Sequence, residues 1–338
     1  MGGTQDNGTH AYNGHGNGSW FVTIFGDGGQ SGISAFNENK RLHIFFDAQI
    51  DMTFRGTTPT FASETGWNWV GDPATVLFPE NMSFYIPLIA DPKVAGTWFF
   101  GAQHVWRTQD NGGNQTFLET NCSEFVNGLQ FTGACGDWVP LGKDLSGTSF
   151  GKDKAPGQYI VATSRAPSDT GTLWVGLRRG RVFVSSNADK PNASVAFYRI
   201  DTSSTPTRFV SGIAVDPEDP NHAFISFSGY NAYNPTQQGH VFDVHYNTVG
   251  HTATWTNIDG TNLGDQPVTG IAYDSVTSNL FISTDFGVLV RSGSSWVPAA
   301  SGLPPVATYG LTFDSVNRLL YAATHGRSAY RLSVPVPP

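Results

Sequence analysis

The stretch LFISTDFGVLVRS at residues 280–292 places an apolar strand on each side of a short polar turn. Six more hairpins of this kind occur along the chain. They are GGTQDNGTHAY (2–12), LHIFFDAQIDMTF (42–54), TWFFGAQHVWRT (97–108), TLWVGLRRGRVFV (172–184), AFISFSGYNAYNPTQQGHVFDV (223–244) and LYAATHGRSAYRL (320–332). Repetition of one strand–turn–strand unit is typical of a β-propeller, whose blades are four-stranded antiparallel sheets. The sequence therefore predicts an all-β propeller that forms a single domain over residues 1–338.

The number of blades depends on how the first segment is counted. Counting hairpins predicts seven blades, which we favour. Counting the inner strands that precede the hairpins predicts six, because the first hairpin has none. In the six-bladed alternative, SWFVTIF (19–25) forms the outer strand of the last blade. Aromatic residues mark the expected fourth strands of several blades, at Trp20, Phe117, Phe197, Trp255 and Trp296.

Composition excludes several classes of function. Only 14% of the residues are charged, and the chain contains 39 Gly and 20 Pro, which suits short strands and tight turns better than long helices. The formal net charge is −8 and the basic residues are scattered, which argues against nucleic acid as a partner. No apolar run approaches the length that a membrane-spanning helix needs.

Two cysteines, Cys122 and Cys135, lie in a loop rich in Gly and Asn. A pair that closes a short loop predicts a disulfide, and a disulfide indicates a secreted, extracellular protein. The chain starts with a segment that resembles the second strand of a blade. This favours a fragment of a longer secreted protein, with a propeller whose two ends close on each other as the alternative.

The segment WRTQDNGGNQTF (106–117) resembles the Asp-box of BNR-repeat propellers. Thr108, Asp110, Gly112 and Phe117 match that motif, in which the Asp pins the turn between the third and fourth strands. VSSNADKPNASVAFYRI (184–200) is a degenerate copy. The resemblance is to xyloglucanase-type glycoside hydrolases and to sortilin-like repeat proteins. It implies the propeller fold and either action on polysaccharide or the gripping of a peptide or protein, while the Asp-box residues themselves are structural.

Four aspartates are the candidate catalytic residues: Asp27, Asp47, Asp265 and Asp285. Asp27 and Asp265 precede inner strands in the similar segments FGDGGQSG (25–32) and LGDQPVTG (263–270), and the other two lie in hairpin turns. In a propeller these positions share one central face. A pair of carboxylates on that face could hydrolyse a glycosidic bond, one as acid and one as base or nucleophile. The alternative is that each carboxylate stabilises its own turn.

The same face supplies candidate substrate-binding residues. The long insert SGYNAYNPTQQGHVF (228–242) offers tyrosines as platforms for sugar rings, and neighbouring turns offer polar and cationic groups. The candidates are Gln103, His104, Arg178, Arg181, Tyr230, Tyr233, His240 and His325. We assign none of them to a metal, since the histidines lack a local ligand spacing. We expect no required cofactor, and Ca²⁺ is the ion that the oxygen-rich turns would suit as a structural ion.

These observations lead to two hypotheses. The first is a secreted propeller that binds or hydrolyses polysaccharide or oligosaccharide through its carboxylate-lined face, as a glycoside hydrolase with paired Asp residues if it is an enzyme. The second is a non-catalytic module that binds a peptide or protein. An enzyme predicts a carboxylate pair with one raised pKa, whereas a binding module predicts carboxylates that are tied into turns.

Overall fold

The computed structural model describes residues 1–13, 18–57, 66–125 and 133–336, which fold into seven antiparallel sheets. The fold is an all-β, seven-bladed β-propeller with almost no helix, as predicted. By compactness the chain divides into unit 1 (Met1–Leu145 with Lys190–Val195) and unit 2 (Ser146–Asp189 with Ala196–Pro338).

Unit 1 contains the first three sheets. The first has three strands and the next two have four each, and within each sheet consecutive strands of the chain pair with one another. The strands are β1 Gly2–Thr4, β2 Gly8–Asn13 and β3 Ser19–Ile24; β4 Ser31–Ile33, β5 Arg41–Ile44, β6 Ile50–Thr53 and β7 Asn68–Trp69; and β8 Leu88–Ala90, β9 Trp98–Gly101, β10 Val105–Thr108 and β11 Val139–Leu141. The helix α1 (Gln115–Asn121), a π-helical turn (Pro73–Leu77) and a 3₁₀ turn (Asn192–Ser194) complete the unit.

Unit 2 contains three four-stranded sheets and a last sheet of three strands. Their strands are β12 Ile160–Arg165, β13 Leu173–Leu177, β14 Val182–Ser185 and β15 Tyr198–Arg199; β16 Val210–Val215, β17 His222–Phe227, β18 Val241–Asn247 and β19 Thr252–Asn257; β20 Val268–Asp274, β21 Asn279–Thr284, β22 Gly287–Ser292 and β23 Ser295–Pro298; and β24 Thr308–Asp314, β25 Leu319–Thr324 and β26 Ala329–Ser333. Short 3₁₀ turns lie at Thr148–Phe150 and Asn231–Tyr233.

All seven predicted hairpins are present, and the six predicted inner strands are β4, β8, β12, β16, β20 and β24. The six-bladed alternative required SWFVTIF to be the outer strand of the last blade. It is wrong, because SWFVTIF forms β3 and pairs with β2, with Tyr12 opposite Trp20. The backbone hydrogen bonds of this strand are therefore made within the first sheet.

The prediction for Phe117 is also wrong. Phe117 lies in α1 instead of a fourth strand, and the fourth strand of its sheet is β11, which follows the disulfide loop. The cause is local: the side chain of Asn114 accepts the backbone N–H of Phe117 and so caps the first turn of the helix.

Apolar residues that alternate along the strands form the core of each unit. In unit 1, the ring of Phe100 stacks on Trp106 and meets the edge of Trp138. The predicted disulfide between Cys122 and Cys135 is present and belongs to the same core. In unit 2, Phe227 and Phe242 pack edge to face.

Some strands approach so closely that they require glycine. A Cβ on Gly176 in β13 would lie 2.4 Å from Cγ1 of Val210 in β16, so any larger residue would push these strands apart. In the part of the chain that the structure describes, no helix is long and apolar enough to cross a membrane.

Candidate ligand-binding face

The hairpin turns of unit 2 gather at one end of its sheets. Ser211 Oγ at the start of β16 donates to the carbonyl oxygen of Val268 (2.6 Å), and Thr269 in β20 donates in the same way to Thr308. Each of these bonds joins the start of one inner strand to the start of the next, so the inner strands begin at the same end. Because each sheet is an antiparallel meander, its second and third strands join at that end too. We call this end the turn face; it comprises residues 178–181, 228–240, 285–286 and 325–328 and the segments that lead into the inner strands.

Hydrogen bonds tie the turns to the starts of their own inner strands. The backbone N–H groups of Arg178, Ser228 and His325 each donate to a carbonyl oxygen just before or within the inner strand. The acceptors are Tyr159 (2.9 Å), Phe209 (2.9 Å) and Ala307 (2.8 Å). The turn face therefore has a fixed backbone on which side chains are displayed.

Large aromatic side chains are exposed on this face. Tyr233 is 80% exposed, Phe286 65% and Tyr309 60%, and Phe209 and Tyr230 are also exposed. The rings of Tyr230 and Tyr233 lie 6.4 Å apart between centroids. Exposure of several large rings on one surface is typical of a binding site. Of these rings, only the two tyrosines of the insert were predicted from the sequence; the signal for the others was an aromatic residue beside each of the other turns.

The insert 228–240 is braced by a buried arginine. Arg208 Nη1 donates to the carbonyl oxygen of Gly229 (2.6 Å), and Nη2 donates to Asn231 Oδ1 (3.0 Å) and to the carbonyl oxygen of Gly239. Asn231 Oδ1 also accepts the N–H of Gly239 (2.9 Å). The two ends of the insert are thus joined through one guanidinium and one amide.

A second set of bonds holds the middle of the insert. Thr207 donates its backbone N–H to Asn234 Oδ1 and its hydroxyl to Gln237 Oε1, both at 2.9 Å. Tyr230 and Tyr233 project from a loop whose polar groups are bonded to unit 2. Their rings are therefore presented with little loss of loop entropy on binding.

The two predicted carboxylates of unit 2 differ. Asp265 Oδ1 accepts the N–H of Asn231 (2.6 Å) and lies 3.1 Å from His240 Nε2. Burial raises the pKa of Asp265, but these hydrogen bonds outweigh it, so the pKa is lowered. Asp285 lies half-buried in the turn between β21 and β22. Asp265 is therefore an ionised carboxylate that belongs to the bracing of the insert.

The two predicted carboxylates of unit 1 also lie in turns. Asp27 Oδ1 accepts the N–H of Asp6 (3.1 Å) and the hydroxyl of Tyr85 (3.3 Å). Burial and the Asp27 charge raise the pKa of Tyr85 to about 12. Asp47 has a φ of 49° and donates its N–H to the carbonyl oxygen of Phe84 (2.8 Å), and burial raises the pKa of its carboxyl. Asp27 is thus bonded through its carboxylate, whereas Asp47 is bonded through its backbone N–H.

Gln103 and His104 of unit 1 are bonded to the segment before β8. Glu80 Oε2 accepts the backbone N–H groups of both residues (2.7 and 2.9 Å), and its Oε1 lies 2.6 Å from His104 Nδ1. Burial lowers the pKa of His104, but the Glu80 carboxylate outweighs burial and raises it. The amide of Gln103 accepts the N–H of Asn81 (3.1 Å).

The predicted cations and histidines of unit 2 fall into two groups. Arg178 is exposed, with its guanidinium 5.4 Å from the ring centroid of Tyr159, and exposed His325 lies beside Tyr309. Arg181 and His240 are fully buried. Arg181 donates to four carbonyl oxygens of residues 146–153, at 2.6 to 3.1 Å. Burial and Arg208 lower the pKa of His240. Arg178 and His325 therefore expose their side chains on the turn face, whereas the side chains of Arg181 and His240 are buried beneath it.

The Asp-box-like turn of unit 1 is held chiefly by its threonine. Thr108 Oγ1 accepts the N–H of Gly112 (2.8 Å) and donates to Asp137 Oδ1 (2.6 Å), whereas Asp110 is exposed. Averaged over all its atoms Asp137 is exposed, but its carboxyl group lies against this turn. Burial of the carboxyl and its hydrogen bond with Asp110 raise the pKa of Asp137 to about 7. Asp137 was not among the carboxylates predicted from the sequence.

Comparison with known proteins identifies the fold. No protein-family model and no curated protein matches the sequence. Among solved structures, the β-propeller domain of Cps50 (Swd1) from Myceliophteria thermophila is 9% identical, with a TM-score of 0.59 over 94% of this chain and 86% of that chain. A putative gluconolactonase is 12% identical, with a TM-score of 0.50 over 90% and 87% of the two chains.

PorZ, a bacterial surface component of the type-IX secretion system of Porphyromonas gingivalis, is 12% identical with a TM-score of 0.56 over 94% of this chain. This chain spans 42% of PorZ. Identities this low show the fold alone, and the β-propeller is a fold commonly used as an interaction module. The comparisons do not show the Asp-box or glycoside hydrolase similarity, which stays a prediction.

Proposed function

We propose that this protein is an extracellular binding module that holds an oligosaccharide segment of a polysaccharide on the turn face of unit 2, without hydrolysing it. The observation that carries the proposal is the insert 228–240, which exposes Tyr230 and Tyr233 while its backbone is fixed by Arg208 and Asp265. The disulfide supports the extracellular location.

The chemistry of the face suits a sugar. Aromatic rings cover the apolar C–H faces of a sugar ring, and side-chain amides, imidazole and guanidinium bond its hydroxyl groups. The turn face offers both kinds of group, with Tyr309 beside His325 and exposed Arg178 near the start of β12.

The non-catalytic part of the proposal rests on the carboxylates. The carboxylates of Asp27 and Asp265 accept backbone N–H groups of turns, as a binding module predicts, and Asp265 has a lowered pKa where a general acid needs a raised one. A peptide or protein ligand is the second candidate. Phe286 and Phe209 favour it, because they enlarge the apolar part of the same face.

The test is a binding assay on xyloglucan, mixed-linkage glucan, mannan and pectin oligosaccharides, with release of reducing ends measured in parallel. We expect binding by the wild type to at least one of them. The double variant Tyr230→Ala/Tyr233→Ala should bind about 10-fold or more weakly, with an unchanged unfolding temperature.

Phe36→Ala removes an exposed ring of unit 1 and is the matched control, which should bind like the wild type. Equal binding by the double variant would contradict the assigned face. Reducing ends that appear with the wild type and vanish in Asp47→Asn or Asp285→Asn would contradict the non-catalytic assignment. Absence of binding to the whole panel would favour the peptide or protein ligand.

A further inference from the structure

A cluster of two histidines and one aspartate lies at the other end of the β16–β19 sheet from the turn face. His222 is the first residue of β17, and Asp243 and His245 are the third and fifth residues of the seven-residue strand β18. His222 pairs directly with His245 across the two strands. Because side chains alternate along a strand, Asp243 and His245 project from the same face of β18, beside His222.

The ligand atoms of the three side chains lie close together. Asp243 Oδ1 lies 3.1 Å from His222 Nε2 and 3.1 Å from His245 Nε2. One nitrogen of each ring and one carboxylate oxygen all lie within 4.8 Å of one another. The two imidazole rings are stacked, with centroids 4.3 Å apart and an interplanar angle of 3°, so their lone pairs do not point at one position. A single ion contacts all three atoms once the exposed imidazole of His245 turns out of the stack.

A fourth residue orients the cluster. Asp216 Oδ2 lies 3.0 Å from His222 Nδ1, and its Oδ1 accepts the N–H of Glu218 (2.9 Å), which fixes the carboxylate in its turn. In the neutral tautomer that donates Nδ1–H to Asp216, the lone pair of His222 is on Nε2, which faces Asp243. A carboxylate behind a histidine in this way is the usual arrangement around a metal-binding imidazole.

This arrangement needs positive charge at its centre. A lone pair on His222 Nε2 that faces a carboxylate oxygen is repulsive unless a proton or a metal ion lies between them. The carboxylates of Asp216 and Asp243 supply two negative charges, the complement of a divalent ion. The guanidinium of Arg291 also acts on Asp243 and competes with an ion for its charge.

We propose that His222, Asp243 and His245 form a binding site for a divalent transition-metal ion of the zinc type, with Asp216 as the positioning residue. Two imidazole nitrogens and one carboxylate oxygen suit Zn²⁺, Ni²⁺ or Co²⁺, whereas Ca²⁺ and Mg²⁺ prefer oxygen ligands. The side chain of His245 is 61% exposed, so an ion can enter from solvent and keep a water ligand. The site is independent of the proposed sugar-binding face.

The sequence did carry a signal for this site. Asp243 and His245 are two positions apart, the spacing that places both on one face of a strand, and His222 is in the strand before them. The ligand set crosses two strands, so a search for histidine pairs in a local segment does not find it.

The test is calorimetric titration of the full chain with ZnCl₂ after treatment with EDTA and gel filtration, with CaCl₂ as a separate titrant. We expect one Zn²⁺ per chain and much weaker binding of Ca²⁺. His245→Gln removes an exposed ligand at little risk to the fold and should weaken Zn²⁺ binding about 10-fold or more, with an unchanged circular dichroism spectrum. His10→Gln, which changes a histidine of unit 1, is the matched control and should bind like the wild type.

No Zn²⁺ binding by the wild type would overturn the proposal, and protonated histidines would then supply the positive charge. Equal Zn²⁺ affinity in His245→Gln, or preference for Ca²⁺, would overturn it as well. Asp216→Asn keeps an oxygen for the N–H of Glu218 but loses the acceptor for His222 Nδ1. It should weaken Zn²⁺ binding about 10-fold with one ion still bound, and an unchanged affinity would contradict the role of Asp216.

Discussion

Two sheets of unit 2 use their polar residues in opposite ways. In the β12–β15 sheet, Lys154 and Arg181 are buried and bonded to many oxygens. In the β16–β19 sheet, Tyr233 and His245 are exposed at opposite ends, and their surroundings are held by Arg208 and Asp216. A charged residue in a turn is therefore not by itself a binding residue. What distinguishes the two regions is whether the polar atoms already have all their partners within the protein.

The largest expected effect is the loss of the buried ammonium. Lys154 Nζ lies 3.0 Å from Asp201 Oδ2 and 3.1 Å from Thr205 Oγ1, and four carbonyl oxygens lie within 3.4 Å of it. Lys154→Met leaves Asp201 with one cationic partner fewer, so the free energy of unfolding should fall by about 3–5 kcal/mol in chemical denaturation. Lys152→Met, at an exposed lysine, should change it by less than about 0.5 kcal/mol. If the two variants lower the free energy of unfolding equally, the distinction between buried and exposed cations is wrong.

The next largest effect on stability is expected at Arg181, which differs from Arg178 in the same turn. Arg181→Met removes the donors of four carbonyl oxygens and should lower the free energy of unfolding by about 3 kcal/mol. Arg178→Met changes an exposed side chain and should lower it by less than about 0.5 kcal/mol. The midpoints of urea denaturation provide the measurement. If Arg178→Met is the more destabilising change, the assignment of the two arginines is reversed.

A smaller effect is expected at the anchor of the insert. Asp265→Ala removes the acceptor of the Asn231 N–H, so the free energy of unfolding should fall by about 1 kcal/mol and the affinity for a bound oligosaccharide should fall several-fold. Asp285→Ala, at the other predicted carboxylate of unit 2, is the matched control for stability and should leave the free energy of unfolding close to the wild type. Unchanged binding by Asp265→Ala would show that bracing of the insert does not matter.

The last expected effect is a pH dependence of stability in unit 1. The pKa of Asp137 is raised to about 7 in the folded state, so between its unfolded pKa and pH 7 the folded state binds more protons than the unfolded state. This contribution lowers stability as the pH rises. The unfolding temperature of Asp137→Asn minus that of the wild type should therefore increase from pH 4 to pH 7 and level off above it. A difference that is constant or falls would contradict the raised pKa.

The sequence predicted the fold well, because each hairpin is defined locally by apolar alternation and turn residues. It failed at Phe117, where a single capping residue, Asn114, starts a helix in place of a strand. It also could not tell exposed Arg178 from buried Arg181, three positions apart, because the loop 146–153 that covers Arg181 comes earlier in the chain. To predict the turn face, the order of the strands must be known, and to predict the His222 cluster, the register between β17 and β18 must be known. Neither can be read from a local segment of the sequence.

A crystal structure of the protein with the tightest-binding oligosaccharide of the panel would show whether the braced insert presents Tyr230 and Tyr233 to a sugar. We expect a sugar ring against the face of Tyr230 or Tyr233, with the backbone of the insert unchanged from its position without ligand. A sugar bound elsewhere on the molecule, or an insert that rearranges to receive it, would rule out the proposed binding mode.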